Sequence, residues 1–203
     1  AHYLARYDGG RYAKLLLEDD IHQVNADKIG ITRRQVKTVS YCFLYGGGDE
    51  KLGLSYDPEL SQSSAKKKGT EIRAAYIDAI EGLGELLQAI KKAAERGFIK
   101  SIDGRKIAVD SPHKALNFCL QSGAATIAKR WMLENHKTMN TVGICASQLA
   151  FVHDELQYEC HPEHAENLRT SLEYAATVAG EYYNLRIRIE AEGKIGSNWA
   201  ETH

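Results

Sequence analysis

The chain has no apolar run approaching the roughly 18 residues that a membrane-spanning helix requires. It has almost no net charge either: 26 Lys and Arg stand against 27 Asp and Glu, a formal balance of −1. A polyanionic partner would therefore have to be met by local basic patches, not by a global field. The four cysteines, Cys42, Cys119, Cys145 and Cys160, form no CxxC or other metal-ligand spacing. They read as scattered, mostly buried thiols of a reducing, cytoplasmic compartment. There is no internal repeat and no set of Ser/His/Asp or Cys/His residues with the look of a nucleophile. Gly46-Gly47-Gly48 lacks the Lys-Ser/Thr that follows a phosphate-cradling P-loop. The opening "AHYLARYDGG" has no apolar signal core and reads as the middle of a helix, so the chain is expected to begin inside a larger fold.

What is present is a 43% hydrophobic content, enough for a real core in one large domain or two lobes. Residues 2–17 read as a helix weakened at Gly9-Gly10. Thr32 followed by Gln35 has the pattern of a capping box and predicts a helix that runs to Tyr45 and stops at the three glycines. Residues 54–69 are polar and predict a loop followed by a helix start. From Thr70, apolar residues at 72, 76, 79, 80, 83, 87 and 90 keep helical period, with Gly82 and Gly84 kinking or dividing the helix. "FIKSIDGRKIAV" predicts a β-hairpin around a type I′ turn at Asp103-Gly104. Residues 113–135 and 162–182 read as helices, 147–160 as a pair of strands, and "LRIRIEAE" as an alternating edge strand. The tail "GKIGSNWAETH" is expected to be pinned by Trp199.

Two constellations carry chemistry. In "FVHDELQYEC", Asp154 and Glu155 interrupt the most strand-like segment of the chain. Inside a buried strand, one carboxylate would face the core at a cost of several kcal/mol. At a hairpin tip both would reach the rim, yet the tip lacks the Asn-Gly or Asp-Gly of an inexpensive turn. The pair suits a hard divalent cation such as Mg²⁺, or is simply a solvated acidic turn. In "TRRQVKTVSYCFLYGGG", Arg33, Lys37, Tyr41 and Tyr45 are each four apart. Four residues of helix turn about 400°, so these side chains form one slowly drifting stripe, while Val36, Val39 and Phe43 face elsewhere. Two cations followed by two aromatics fit the phosphates and base of a nucleotide, or the solvated face of an amphipathic helix. "HPEH" at 161–164 has helical spacing but no third zinc ligand, and Lys66 to Lys68 reads as a solvated run.

Together these residues resemble DNA polymerase family A. Arg33-x₃-Lys37-x₃-Tyr41-x₃-Tyr45-Gly46 is similar to the family's motif B, and "VHDE" at 152–155 to its motif C. "DIH" at 20–22 and "DGRKIAVDSPHKALNFCLQSGAA" at 103–125 are also similar. "FLYGGGDEKLG", "SPHKALN" and "GKIGSNWAETH" point to the replicative enzymes of short-tailed phages. The resemblance covers essentially the whole chain. It implies an α+β fold: helical fingers over 13–115, preceded by a trailing palm segment at 1–12 and followed by part of an antiparallel palm at 116–203.

The resemblance also implies template-directed addition of deoxynucleotides to a primer 3′-OH with Mg²⁺. Asp154 and Glu155 would be metal ligands, Glu155 the weaker, and Lys37 would complete the catalytic set. His22, Arg33, Lys37 and Tyr41 would hold the incoming nucleotide. Tyr45, Arg105, Gln121 and His153 would meet the primer-template. Minor-groove contacts of this kind test pair geometry without reading sequence. Two departures stand out. Cys42 replaces a residue that is usually small or polar, and the family's motif A aspartate would lie upstream of Ala1. Two-metal phosphoryl transfer uses carboxylates from both motifs, so the chain by itself is expected to be inactive. A nucleotide- or DNA-binding fragment, such as one half of a split polymerase, is the alternative.

Overall fold

The computed structural model describes residues 1–202, which divide into two units, the first Ala1–Ser122 and the second from Gly123 onward. The fold is α+β, mostly helical with two small antiparallel sheets. No helix among the described residues is long and apolar enough to cross a membrane.

The first unit opens with a short 3₁₀ turn, Leu4–Arg6, and then α1, Arg11–Glu18. Gly9 and Gly10, both with positive φ, interrupt the helix expected over 2–17. Asp8 is buried at this break and accepts the backbone N–H groups of Gly10 (2.8 Å) and Tyr12 (2.7 Å). Helix α2 (Ile21–Ile29) starts at Asp20, whose carboxylate accepts the N–H groups of His22 and Gln23. Helix α3 (Arg33–Leu44) begins with the full capping box: Gln35 N–H donates to the Thr32 hydroxyl and Thr32 N–H to Gln35 Oε1.

The polar 54–69 segment holds a short loop followed by a helix start, as expected. Helix α4 (Asp49–Tyr56) enters it and α5 (Gln62–Ala79) starts in it, capped by Ser61. These helices cross at two glycines. A Cβ on Gly53 would lie 1.9 Å from the Ala65 carbonyl oxygen, and one on Gly69 would lie 1.7 Å from that of Asp49. Only glycine permits so close a backbone approach. Gly82, with φ +78°, divides α5 from α6 (Leu83–Ala94) as expected. The core gathers Val36, Val39 and Phe43 of α3 with Leu52, Ile72, Tyr76, Leu83 and Leu86. Phe43 and Tyr76 pack ring on ring at 4.8 Å. Each such apolar side chain contributes about 1.5–3 kcal/mol on burial.

Strands β1 (Phe98–Lys100) and β2 (Lys106–Ala108) pair with Ile99 opposite Ile107. The turn between them is not type I′, because only Gly104 has positive φ. Gly104 N–H returns to the Ser101 carbonyl and Ser101 N–H to that of Arg105. That is a type I turn with glycine in the left-handed position after it.

Helix α7 (Ala115–Val142) runs seven residues past its expected end, and the division between the units falls within it. In the second unit, β3 (Ala146–Val152) pairs with β4 (Glu155–Cys160), with an irregularity between Gln148 and Ala150. Helix α8 (Ala165–Tyr182) follows. A small core forms from Met139, Ile144 and Leu168. Asn135, fully buried, accepts the Ser171 hydroxyl at 2.8 Å.

"LRIRIEAE" is not a strand among the described residues. It forms neither helix nor strand and bends at Arg186-Ile187, with Leu185, Ile187, Ile189 and Ala191 half-buried and the charged residues between them exposed. It runs along α8, where the Thr177 hydroxyl donates to the Ile189 carbonyl at 3.1 Å and Ile189 presses on Gly180. The alternation set its facing, but no neighbouring strand completes a ladder. The thiols also differ from expectation: only Cys119 is buried, and Cys145 is exposed.

Candidate functional site

In the first unit the stripe on α3 faces outward. Lys37 is exposed, as are Tyr41 (50%) and Tyr45 (59%), while Val36 and Val39 on the opposite face are fully buried. The helix therefore presents one face to its core and the other to solvent. Tyr45 is the C-cap, so the stripe ends where Gly46 turns the chain.

The turn after the stripe is held by Arg73 of α5. Its guanidinium donates to the Gly47 carbonyl (2.6 Å) and to Asp49 Oδ1 (2.5 Å), and lies over the Phe43 ring. The Asp49 carboxyl is held below the ordinary carboxylate range, chiefly by that Arg73 hydrogen bond. Cys42 fills the inside of the same turn, since a Cβ on Gly47 would lie 2.3 Å from its Sγ. It leaves Tyr41 outward-facing.

Arg33 is not a free cation. Its Nε donates to Asp20 Oδ2 at 2.6 Å, across from α3 to the start of α2. Asp20 is thereby held below its usual range, the Arg33 bond being the largest cause. Asp20, part of the "DIH" stretch, has no role of its own in the motifs read from the sequence. The signal was its place before "IH", where an Asp at a helix start is a capping residue. His22, two residues on, is half-buried, and its Nδ1 is shielded without a hydrogen-bond partner among the described residues. Lys37, by contrast, makes no ion pair or hydrogen bond among those residues. Arg105, also in this unit, is exposed beside Asp103, with which it pairs. Gln121 is exposed on α7.

In the second unit, His153 and Asp154 form the two-residue tip of the β3–β4 hairpin, with Val152 opposite Glu155. His153 has φ +56°, a left-handed conformation that costs a non-glycine residue roughly 1–2 kcal/mol. His153 and Asp154 are exposed and Glu155 is half-buried. Glu155 Oε1 accepts hydrogen bonds from Gln157 Nε2 and, at 3.1 Å, from the indole N–H of Trp199. Adjacent carboxylates at an open tip are the hard oxygen donors that a Mg²⁺-type ion prefers. By themselves they would be only part of a ligand set, since no group of three His, Cys, Asp or Glu side chains among the described residues could hold a metal. His161 and His164 pair with Glu163 instead. Lys68 lies over the Tyr56 ring and pairs with Glu71.

The chain is similar to known proteins. A solved polymerase domain of Pol1 from M. smegmatis, in complex with DNA primer-template and dNTP, superimposes with a TM-score of 0.76. It is 24% identical, and the match covers 93% of this chain and 35% of that one, which speaks for the fold. The DNA-directed DNA polymerase of Enterobacteria phage T3 is 34% identical over 228 residues, and that of Escherichia phage T7 is 33% identical over 226. Both matches take in all of this chain but only 31% of the phage protein, so the chain spans under a third of these relatives' length. The profile of DNA polymerase family A matches residues 12–201, from α1 through the stripe and the carboxylate hairpin to the Trp199 tail, and the chain belongs to that family.

Proposed function

We propose that this chain supplies nucleotide-, template- and metal-engaging residues of a DNA-directed DNA polymerase that extends a primer 3′-OH. The observation that carries the proposal is the outward stripe of Arg33, Lys37, Tyr41 and Tyr45 on a helix whose other face is locked into the core. Lys37 meets the triphosphate of the incoming deoxynucleotide, where negative charge grows in the transition state. Arg33 joins it by sharing or exchanging Asp20, and His22 lies beside them. Tyr41 lies along the sugar and base. Tyr45, Arg105, Gln121 and His153 contact the primer-template. Residues 13–115 are the fingers, and 1–12 and 116–203 belong to the palm. On this reading the protein works in the cytoplasm, the host's if it is phage-encoded.

Asp154 and Glu155 would hold Mg²⁺. When bound, two such ions stabilise the attacking and leaving oxygens of an in-line displacement. The chain's own contribution is to fix both carboxylates at one tip. Because they form an incomplete set, a second reading is supported: a catalytically incomplete nucleotide- and DNA-binding piece that works with further polypeptide, such as one half of a split polymerase. Primer extension separates the two. The 203-residue chain alone is expected to be inactive, and a full-length polymerase containing it active. In the latter, Lys37→Ala should raise KM for nucleotide and lower kcat. Unchanged values of both would remove Lys37 from the triphosphate. Steady extension by the isolated chain, lost in Asp154→Ala, would overturn the incomplete-piece reading.

A further inference from the structure

The tail after α8 is tied down at every few residues. Ile189 is held by Thr177, and Gly193 donates its N–H to Glu173 Oε1 at 3.0 Å. Gly193 is also pressed against Arg169, which itself pairs with Glu173. Further on, Glu201 reaches back to Ser197 N–H (2.7 Å) and to the Asn198 amide (2.8 Å), closing the short helix α9, Trp199–Thr202. So much fixing of an otherwise irregular segment delivers two groups to the carboxylate hairpin. The Trp199 indole N–H donates to Glu155 Oε1, and the Thr202 hydroxyl reaches Gln157 Oε1 at 3.5 Å. Gln157 in turn donates its own amide to Glu155 Oε1.

We propose that residues 185–202 are a strap whose end, Trp199, positions Glu155 beside Asp154, making Trp199 a positioning residue for the metal-binding tip. The idea rests on the metal role given to the tip above. An unrestrained glutamate has three rotatable side-chain bonds and must be ordered when it takes a cation. Two N–H donors on one carboxylate oxygen do that ordering beforehand. Such immobilisation is worth about 0.5–1.5 kcal/mol per side chain, which corresponds to an affinity change of about 2- to 10-fold. Trp131, the other tryptophan, is an internal reference, because its indole N–H is held by the Leu172 carbonyl at 2.7 Å.

The test uses the 203-residue chain with its tryptophan indoles labelled with ¹⁵N, and Mn²⁺ as the probe. Trp199→Phe assigns the two indole resonances. In metal-free protein, Glu155→Ala should move the Trp199 resonance and speed its solvent exchange several-fold, leaving that of Trp131 in place. An unmoved Trp199 resonance overturns the strap whatever the protein's activity. In a Mn²⁺ titration, Asp154→Ala should abolish binding at the tip. Trp199→Phe, which keeps the ring and loses the N–H, should weaken binding about 2- to 10-fold at an unchanged thermal midpoint. Unchanged Mn²⁺ affinity with a lowered midpoint would make Trp199 merely structural and sink the positioning role alone. Absence of Mn²⁺ binding at the tip both in the unaltered chain and in a full-length polymerase containing it would sink the metal role of the tip, and the positioning role with it.

Discussion

The molecule contains two hairpins built on opposite logic. At residues 98–108 the turn obeys backbone preference: Gly104 takes the left-handed position, and the Asp103 carboxylate accepts the Arg105 N–H at 3.2 Å. At residues 146–160 the tip defies it. A histidine sits at φ +56°, and Asp154 accepts no hydrogen bond from its own turn among the described residues. The first hairpin is shaped to be stable. The second carries its strain at a tip that exposes His153 and Asp154, the tip proposed above to engage metal and primer-template. Backbone strain of this kind concentrates where function requires particular side chains.

The sharpest way to break the comparison is to remove a carboxylate from each. In a full-length polymerase containing this chain, Asp154→Ala should lower kcat by at least about 100-fold, the scale of losing one group that stabilises transition-state charge. Its thermal midpoint should barely move. Asp103→Ala should do the reverse in kind, lowering stability slightly through a lost turn hydrogen bond. Parallel primer-extension and thermal melts check both. If Asp154→Ala destabilises as much as Asp103→Ala and retains activity, the second tip is an ordinary acidic turn.

A smaller effect lies in the turn backbones. Gly104 has open space around it, with nothing within 4 Å of an added Cβ, so Gly104→Ala isolates the conformational term. It should destabilise by about 1 kcal/mol. His153→Gly should do the opposite and stabilise by about 0.5–1 kcal/mol, the relief of strain exceeding the added chain entropy. Denaturant melts of the two variants should therefore diverge in sign. If His153→Gly is destabilising, the tip is held by contacts of the imidazole and not against backbone preference.

The same contrast explains what could be read from the sequence. Features governed by local backbone chemistry were legible. The Thr32 capping box, the Gly82 division and the outward facing of Arg33, Lys37, Tyr41 and Tyr45 all follow from residue type and spacing. Features governed by tertiary contact were not. Helices α2 and α4 are short and weakly amphipathic, and α4 exists because Gly53 and Gly69 allow it to lie against α5. The alternation of 185–192 fixed which residues turn inward but could not supply a partner strand. Asp103-Gly104 announced a hairpin, yet the dipeptide fits two turn types, and the Ser101–Arg105 pairing selected the longer one. In the candidate site, the motifs marked α3 and the carboxylate tip. The Asp20–Arg33 and Trp199–Glu155 contacts join residues 13 and 44 positions apart, beyond any local pattern.

The smallest expected difference between the hairpins is in their response to acid. Burial by itself would push the Asp103 carboxyl up. The Arg105 backbone N–H and guanidinium outweigh it and hold the group below the ordinary carboxylate range. The folded first hairpin therefore prefers the charged form more than the unfolded chain does. Its contribution is fully present above the unfolded value of about 3.9 and is lost as pH falls through the lower folded value. The Arg105 side chain is 60% exposed and the Asp103 side chain 20%, and the pair sits on a surface turn, so the loss is local loosening and not global unfolding. Amide exchange at Gly104 and across the Lys100–Lys106 pair, followed from about pH 5 downward, should accelerate below about pH 4 beyond the intrinsic change. Asp103→Asn should flatten that response, since the amide retains an acceptor oxygen but cannot titrate. A wild-type profile identical to that of Asp103→Asn would mean that Gly104 alone holds the turn and that the Asp103 carboxylate contributes nothing to the first hairpin.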